Sequence, residues 1–390
     1  MKQTPKITKV EVRQFKYPLK NVGREPTSSV PIYEPGAVLD FKTYILRIFT
    51  DVGLVGEYMG GHLTQYAAIP TFIHAVLGRN PLHREAIYND TKAVLQQSAR
   101  MAMSQIDIAL WDLAGKFYNA PVYELLGGYR TNIPCYASTY LADRQPGGLD
   151  SPEAHAEFAQ QCLELGYRGF KTHLWQNAPV EDYIATNHVI AERVGGKMDL
   201  MCDAHCGLKT FGDALKLGWS CDQEKFFWWE DPFMDGGVSA FAHRKLRQLV
   251  KTPLLQMEHV RGLEQHVDFI VANASDFVRG DLNWDGGITG VMKIAHAAEG
   301  FGLDIELHLI GPAVRHVIAA IRNTNYYEMG LVHPKAPLYM LPNVYKCDYT
   351  DELGAIDKNG CVPVPQGPGL GVEYDWDYIN KNTTWEAVYE

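Results

Sequence analysis

Hydrophobic and polar positions change rhythm twice along this chain. Near the start, Ile7, Val10, Val12 and Phe15 alternate in part with polar residues and predict a strand. The stretch NVGREPTSSVPIYEPG that follows is rich in Pro and Ser and reads as a loop. TYILRIF and LVGEYM then flank Thr50-Asp51-Val52-Gly53, a hairpin signal. From about Gln65 to Tyr118 the spacing turns helical. MAMSQIDIALWDLAGKF is the clearest case, with Ile106, Ala109, Leu110 and Leu113 on one face. PVYELLGG closes this part, and Gly127-Gly128 stop it.

From about Asn132 short apolar runs alternate with helical stretches. The runs are IPCYAS, GFKTHL, DLMCDA, FFWWEDP, LLQMEH, DFVRGD, DIELHL and NYYEMG. Such alternation predicts an α/β fold in which parallel strands close into a (β/α) TIM-type barrel. An open doubly wound sheet would want a glycine-rich phosphate turn, and no G-x-G-x-x-G or Walker sequence occurs. The expected organisation is a capping α+β domain over residues 1–130, a barrel over 131–340, and a tail from about Leu341 to 390 that returns over the first domain.

The chain's 390 residues suit a barrel of about 250 plus a smaller domain. Hydrophobic residues at 46% and charged residues at 21% are ordinary globular values. A net charge of -10 with no clustered Lys/Arg run sets nucleic-acid binding aside. An anionic substrate would need a local cation, which a bound metal supplies. The N-terminus has no signal-peptide core and no apolar stretch nears the roughly 20 residues of a membrane helix, so a cytoplasmic protein without a membrane partner is expected. Seven scattered cysteines, an odd number, argue for reduced thiols. Cys202 and Cys206 flank Asp203, but C-x-x-x-C is not a usual structural zinc spacing and no second pair lies nearby. Both read as small core residues.

Polar residues gather at the ends of the predicted strands. Lys171 and His173 end GFKTH, Asp203 ends DLMCD with His205 two residues on, Glu230 ends FFWWE and Glu258 ends LLQME. Asp281 ends FVRGD, His308 ends IELH and Glu328 ends NYYE. A barrel collects its C-terminal strand ends at one face, where barrel enzymes do their chemistry. Buried charges are costly unless paired or metal-bound. Asp203, Glu230 and Glu258 on successive strands would make an all-oxygen cluster, the donor set of a hard cation such as Mg2+.

In order and spacing these residues resemble the enolase superfamily, in its mandelate racemase group. IDIALWDLAGK and PVYELLGG are similar to that family's first domain, and Lys171-x-His173 to its K-x-K or K-x-H pair. The resemblance implies a modified (β/α)7β barrel and Mg2+ held by Asp203, Glu230 and Glu258. It implies Asp281, followed by DGGIT, and His308 as an Asp–His pair, and Glu328 as the eighth-strand acid. It further implies proton abstraction alpha to the carboxylate of a small-molecule substrate, and an even-numbered homo-oligomer.

The alpha proton is a poor acid, and its removal needs a metal and fixed donors to stabilise the charge that develops. Lys171 is expected beside the substrate carboxylate or as a base on one face, and His308, oriented by Asp281, as acid/base on the other. Glu328 could donate to the substrate carboxylate only if protonated. His173 stands where the racemase pattern has a second Lys. His205 is similarly placed to the leaving-group acid of sugar-acid dehydratases, or is a hydrogen-bond donor behind the metal ligand. Asp285 is open between a substrate hydroxyl and a helix cap. His62 and Arg24 lie on loops that, in the proteins this chain resembles, close over the substrate; a solvated Arg24 is the other reading. The expected reaction is dehydration of a sugar acid to a 2-keto-3-deoxy acid. The runner-up is a racemase, epimerase or cycloisomerase, and a non-catalytic ligand-binding protein is the third reading.

Overall fold

The computed structural model describes residues 4–25, 30–97, 100–336, 342 and 344–390. Three strands come first, β1 (Ile7–Arg24), β2 (Pro31–Thr50) and β3 (Val55–Met59), followed by helices that include Arg84–Val94 and Ser104–Tyr118. Eight strands then alternate with seven helices. The strands are β4 (Asn132–Thr139), β5 (Gly169–His173), β6 (Asp199–Asp203), β7 (Trp228–Glu230), β8 (Leu254–Gln256), β9 (Phe277–Gly280), β10 (Asp304–Leu307) and β11 (Tyr327–Val332). Two last strands, β12 (Cys361–Pro363) and β13 (Thr383–Tyr389), lie in the tail. The antiparallel sheet runs β13-β1-β2-β3, and the parallel one β10-β9-β8-β7-β6-β5-β4-β11. This is a (β/α)7β barrel with a separate capping sheet.

Parity decides what fills the barrel. Along β5, Lys171 and His173 share one face while Phe170 and Thr172 take the other, as a pleated strand requires. Tyr136, Met201, Trp228 and Leu255 form a buried apolar cluster of their own inside the barrel. The ionisable residues lie above that plug. Ladder bonds do not join β10 to β11. Glu306 bridges the seam instead: its carboxylate accepts from Asn325 N at 3.0 Å, Asn325 Nδ2 at 2.7 Å and Tyr326 N at 3.2 Å.

Burial raises Glu306 from its ordinary value to about 7. A folded-state value above the unfolded one means that its contribution is full below about pH 4 and falls as pH rises through about 7. Glu306→Gln, which cannot ionise, should therefore lower Tm less at pH 8 than at pH 5. A pH-independent difference would mean that this carboxylate titrates normally.

Two sequence readings need correction. NVGREPTSSVPIYEPG is mostly strand: Val22 pairs with Tyr33, Gly23 with Ile32 and Arg24 with Pro31, while 26–29 lie outside the described residues. The Pro- and Ser-rich composition that suggested a loop surrounds a register shift, where Asn21 at φ 60° accepts through Oδ1 from Gly36 N at 3.0 Å. Glu328 does not end its strand. It is the second residue of β11, opposite Tyr136, one layer deeper in the barrel than expected.

The tail touches both parts. β13 pairs antiparallel with β1, and β12 pairs with β4. The expected boundary at 340/341 and Leu341 lie outside the described residues. The polar residues of IDIALWDLAGK dock the cap on the barrel. Asp107 accepts from Thr289 N at 2.8 Å and Thr289 Oγ1 at 2.6 Å, and Trp111 Nε1 donates to Thr289 Oγ1 at 2.9 Å. Gly287 must be glycine here, because a Cβ would fall 2.4 Å from Asp107 Oδ2. No helix among the described residues is long and apolar enough to cross a membrane.

Candidate active site

Parallel pairing sets His173, Asp203 and Glu230 side by side on β5, β6 and β7. Glu258 follows β8, and the three carboxylates Asp203, Glu230 and Glu258 bring oxygens within 4.8 Å of one another. Lys171 lies behind them, fully buried. Its Nζ is 2.7 Å from Glu230 Oε2, 3.1 Å from Asp203 Oδ2 and 3.2 Å from Glu328 Oε1. Burial opposes its charge, but the surrounding carboxylates hold it well above the usual lysine range. His173 Nε2 contacts Asp203 Oδ2 at 2.9 Å, while its Nδ1 is buried without a partner.

Arg279, on the inward face of β9, completes the floor. Its Nε is 2.9 Å from Glu230 Oε1 and its Nη2 2.8 Å from Glu328 Oε2. The Glu230 contact is close but poorly aligned, since neither atom makes a hydrogen bond. Burial pushes Glu328 up, yet Arg279 and Lys171 hold it well below its ordinary value. Glu328 Oε2 also accepts from Leu309 N at 2.8 Å. Glu328 is thus an ionised structural partner in this arrangement, and the protonated donor role does not describe it.

On the opposite side, His308 Nδ1 meets Asp281 Oδ2 at 2.6 Å, and Nε2 lies 3.6 Å from Glu258 Oε1. Burial disfavours charge on this ring, but Glu258 and Asp281 outweigh it and raise His308 to about 9. Burial also raises Glu258, and His308 and His259 overcome it to hold the carboxyl at about 2. Asn283 N donates to Asp281 Oδ1 at 2.6 Å, fixing the carboxylate behind the imidazole.

The carboxylate cluster fits a hard divalent cation. Five carboxylates, Asp203, Glu230, Glu258, Asp281 and Glu328, face two permanent cations, Lys171 and Arg279. Burial pushes Glu230 up to about 8 even beside Arg279 and Lys171. The all-oxygen donor set is the kind that Mg2+ takes.

Above this floor opens a cavity of about 720 Å³. Lys171, His173, Asp203, His205, Glu258, His308 and Glu328 line it, with Arg24 and His62 reaching in from the cap. His62 also stacks on Trp284 at 5.0 Å. Glu230 and Asp281 lie behind the lining. Asp285 does not reach this cavity: its Oδ1 accepts from Gly262 N at 3.0 Å and its Oδ2 from Asp281 N at 2.9 Å. It braces the loop after β9 against the start of the preceding helix, Gly262–Val271.

Two similarity findings decide the family. The enolase C-terminal domain-like family matches residues 154–378, and the mandelate racemase / muconate lactonizing enzyme N-terminal domain matches 34–127. The chain belongs to the enolase superfamily. Its relatives in the mandelate racemase group differ in reaction. An N-succinyl-L-Arg/Lys racemase of Bacillus cereus is 25% identical, with 98% of this chain and 99% of that protein aligned. A D-xylonate dehydratase of Haloferax volcanii is 26% identical, over 88% and 86%. The crystal structure of D-glucarate dehydratase from Agrobacterium tumefaciens complexed with magnesium superposes with a TM-score of 0.87 at 30% identity, covering 98% of this chain and 100% of that one.

Sequence reasoning missed three members of this enolase-superfamily site. Arg279 was visible in FVRGD, and its inward parity two residues before Asp281 is the signal. Asp231 and His259 follow Glu230 and Glu258 directly, and both line the cavity. Their Oδ2 and Nε2 lie 3.1 Å apart, which raises His259 to about 9.

Proposed function

We propose that this chain dehydrates a sugar acid, an aldonate or aldarate, to a 2-keto-3-deoxy acid, with Mg2+ at Asp203, Glu230 and Glu258. The observation that carries the reading is an asymmetry between the two sides of the cavity. His308 turns Nε2 to the cavity with one carboxylate oxygen, Glu258 Oε1, 3.6 Å away, whereas Lys171 is tied to three carboxylates and stays protonated. One strong base facing histidines suits elimination better than a two-base proton transfer.

His308 acts as base in its neutral form, with Nδ1–H donated to Asp281 and the lone pair on Nε2; a cation on Glu258 would favour that form by neutralising a carboxylate that helps hold the ring protonated. Nε2 takes the alpha proton, and the C–H electrons pass into an enediolate. Bound Mg2+ would supply Lewis-acid stabilisation of the negative charge on the substrate carboxylate. Lys171 adds a fixed positive charge in a water-poor site, where it costs no reorganisation. The electrons then return to expel the beta hydroxyl, which needs a proton to leave as water. His205 supplies it. Its ring is exposed to the cavity, 6.3 Å from that of His173, and its backbone N–H donates to Asp203 Oδ1 at 2.8 Å. The resulting enol gains a proton at C3 and becomes the keto acid. Arg24 and His62 would meet the distal end of the substrate.

Sugar-acid dehydratases among the relatives support this class, although racemases and cycloisomerases share the scaffold. Screening acid sugars with Mg2+ for 2-keto product tests the reading. A keto acid from at least one of them is expected. Only epimerised or ring-opened products would favour the isomerase reading.

Proton abstraction and departure of the hydroxyl involve different bonds, so they are separable. His205→Asn should make little keto acid while still exchanging the substrate's alpha proton with solvent deuterium. Normal dehydration by this variant would place the acid elsewhere. Mg2+ affinity must be measured alongside, because Asp203 is two residues away.

A further inference from the structure

A second donor set of different chemistry lies beside the carboxylates. Cys206, Asp231 and His259 offer a sulfur, a carboxylate oxygen and an imidazole nitrogen within 4.8 Å of one another. Each follows a carboxylate of the first cluster by one to three residues: Cys206 after Asp203, Asp231 after Glu230, His259 after Glu258. The loops after β6, β7 and β8 therefore stack one polar set on another.

The second set has an unmet demand. Asp231 is 2% exposed, and its Oδ1 is buried with no hydrogen-bond partner. Its other oxygen, Oδ2, is 3.1 Å from His259 Nε2. The loops are tied together where Cys206 N donates to the Asp231 carbonyl at 2.8 Å. Gly237 covers the cluster. A Cβ there would come within 3.0 Å of Asp231 Oδ1 and 3.5 Å of His259 Cδ2, so only bare backbone packs over it.

We propose that Cys206, Asp231 and His259 bind a borderline-soft divalent cation of the Zn2+ class, at a position separate from the oxygen-only cluster. A thiolate and an imidazole suit zinc and cobalt, whereas three carboxylates suit Mg2+. Three protein ligands also match the count of an open, catalytic-type zinc site, with a fourth position left for water or substrate. Asp231 and His259 line the substrate cavity, so the ion would sit within reach of a bound acid sugar. The sequence reading took Cys202 and Cys206 both as small core residues. That holds for Cys202, fully buried among the outward-facing core residues of β6, whereas Cys206 is only partly buried and its neighbours Asp231 and His259 come from the loops after the next two strands. Coordination balances simply: the thiol proton leaves to solvent as the metal–sulfur bond forms, and His259 Nε2 gives up the proton it shares with Asp231.

The test does not depend on any substrate, so it can fail independently of the dehydratase reading. The full chain is held in a large excess of Mg2+, which keeps the oxygen cluster filled, and titrated with Co2+ alone. One equivalent should bind with a thiolate-to-cobalt charge-transfer band, and Zn2+ should displace it. Cys206→Ser should abolish that band and weaken Co2+ binding by at least about 100-fold, the upper end of what losing a mere outer partner costs. His259→Gln, at a half-exposed position, should weaken it comparably in a chain whose fold is checked by circular dichroism. The proposal is overturned if the wild type shows no charge-transfer band. It is equally overturned if the band persists in Cys206→Ser, which would assign it to another thiol such as the exposed Cys347.

Discussion

His308→Asn should lose at least roughly 100-fold in kcat, the low end of what a general acid–base group contributes. Asparagine can still donate to Asp281, so the hydrogen bond at 2.6 Å has a replacement and the loop after β9 should keep its shape. What disappears is the ring nitrogen that Asp281 orients to accept and return a proton. KM should therefore change far less than kcat, the signature of an interaction used in the transition state alone. Unlike His205→Asn, this variant should also stop exchanging the substrate's alpha proton with solvent. Asp281→Asn should reproduce much of the loss through a wrong tautomer, because an amide nitrogen facing Nδ1 forces the ring proton onto Nε2. Near-normal turnover by His308→Asn would remove His308 from the mechanism.

Arg279→Met should be the most damaging single change to stability. The guanidinium is fully buried and lies against Glu230 at 2.9 Å and Glu328 at 2.8 Å. Removing one partner from a buried ion pair leaves uncompensated charge and costs about 3–5 kcal/mol. Two carboxylates are stranded here, with Lys171 as the remaining cation beside both. Denaturant unfolding should show the loss. Arg279→Met combined with Glu328→Gln should recover part of it, because one stranded charge is then gone. A loss below about 1 kcal/mol in the single variant would indicate that water or protonation relieves the site.

Much of the fold was legible because period and punctuation carry it. The eight apolar runs became eight strands, and Thr50-Asp51-Val52-Gly53 became the expected turn, with Gly53 at φ 79°. The Pro- and Ser-rich stretch misled because local composition cannot reveal a partner strand. Val22 and Tyr33 are held in register by pairing, and Tyr33 packs on His333 at 4.7 Å. The site's inventory was legible as acids and histidines at strand ends, but its charge pairing was not. Glu328 looked like a mouth residue until its register against Tyr136 placed it in the floor. Arg279, which the sequence reading passed over inside FVRGD, is its counter-ion. Asp285 was ambiguous for a related reason: its two backbone partners, Gly262 and Asp281, lie on different elements.

The most direct test follows the reaction of an acid-sugar substrate in deuterium oxide with Mg2+ by proton NMR. The account predicts a 2-keto-3-deoxy acid carrying one solvent deuterium at C3, formed by wild type and not by His308→Asn or after chelation of the metal. Deuterium at C2 of a product that has kept all its hydroxyls would show proton transfer without loss of water, and would contradict the dehydratase reading.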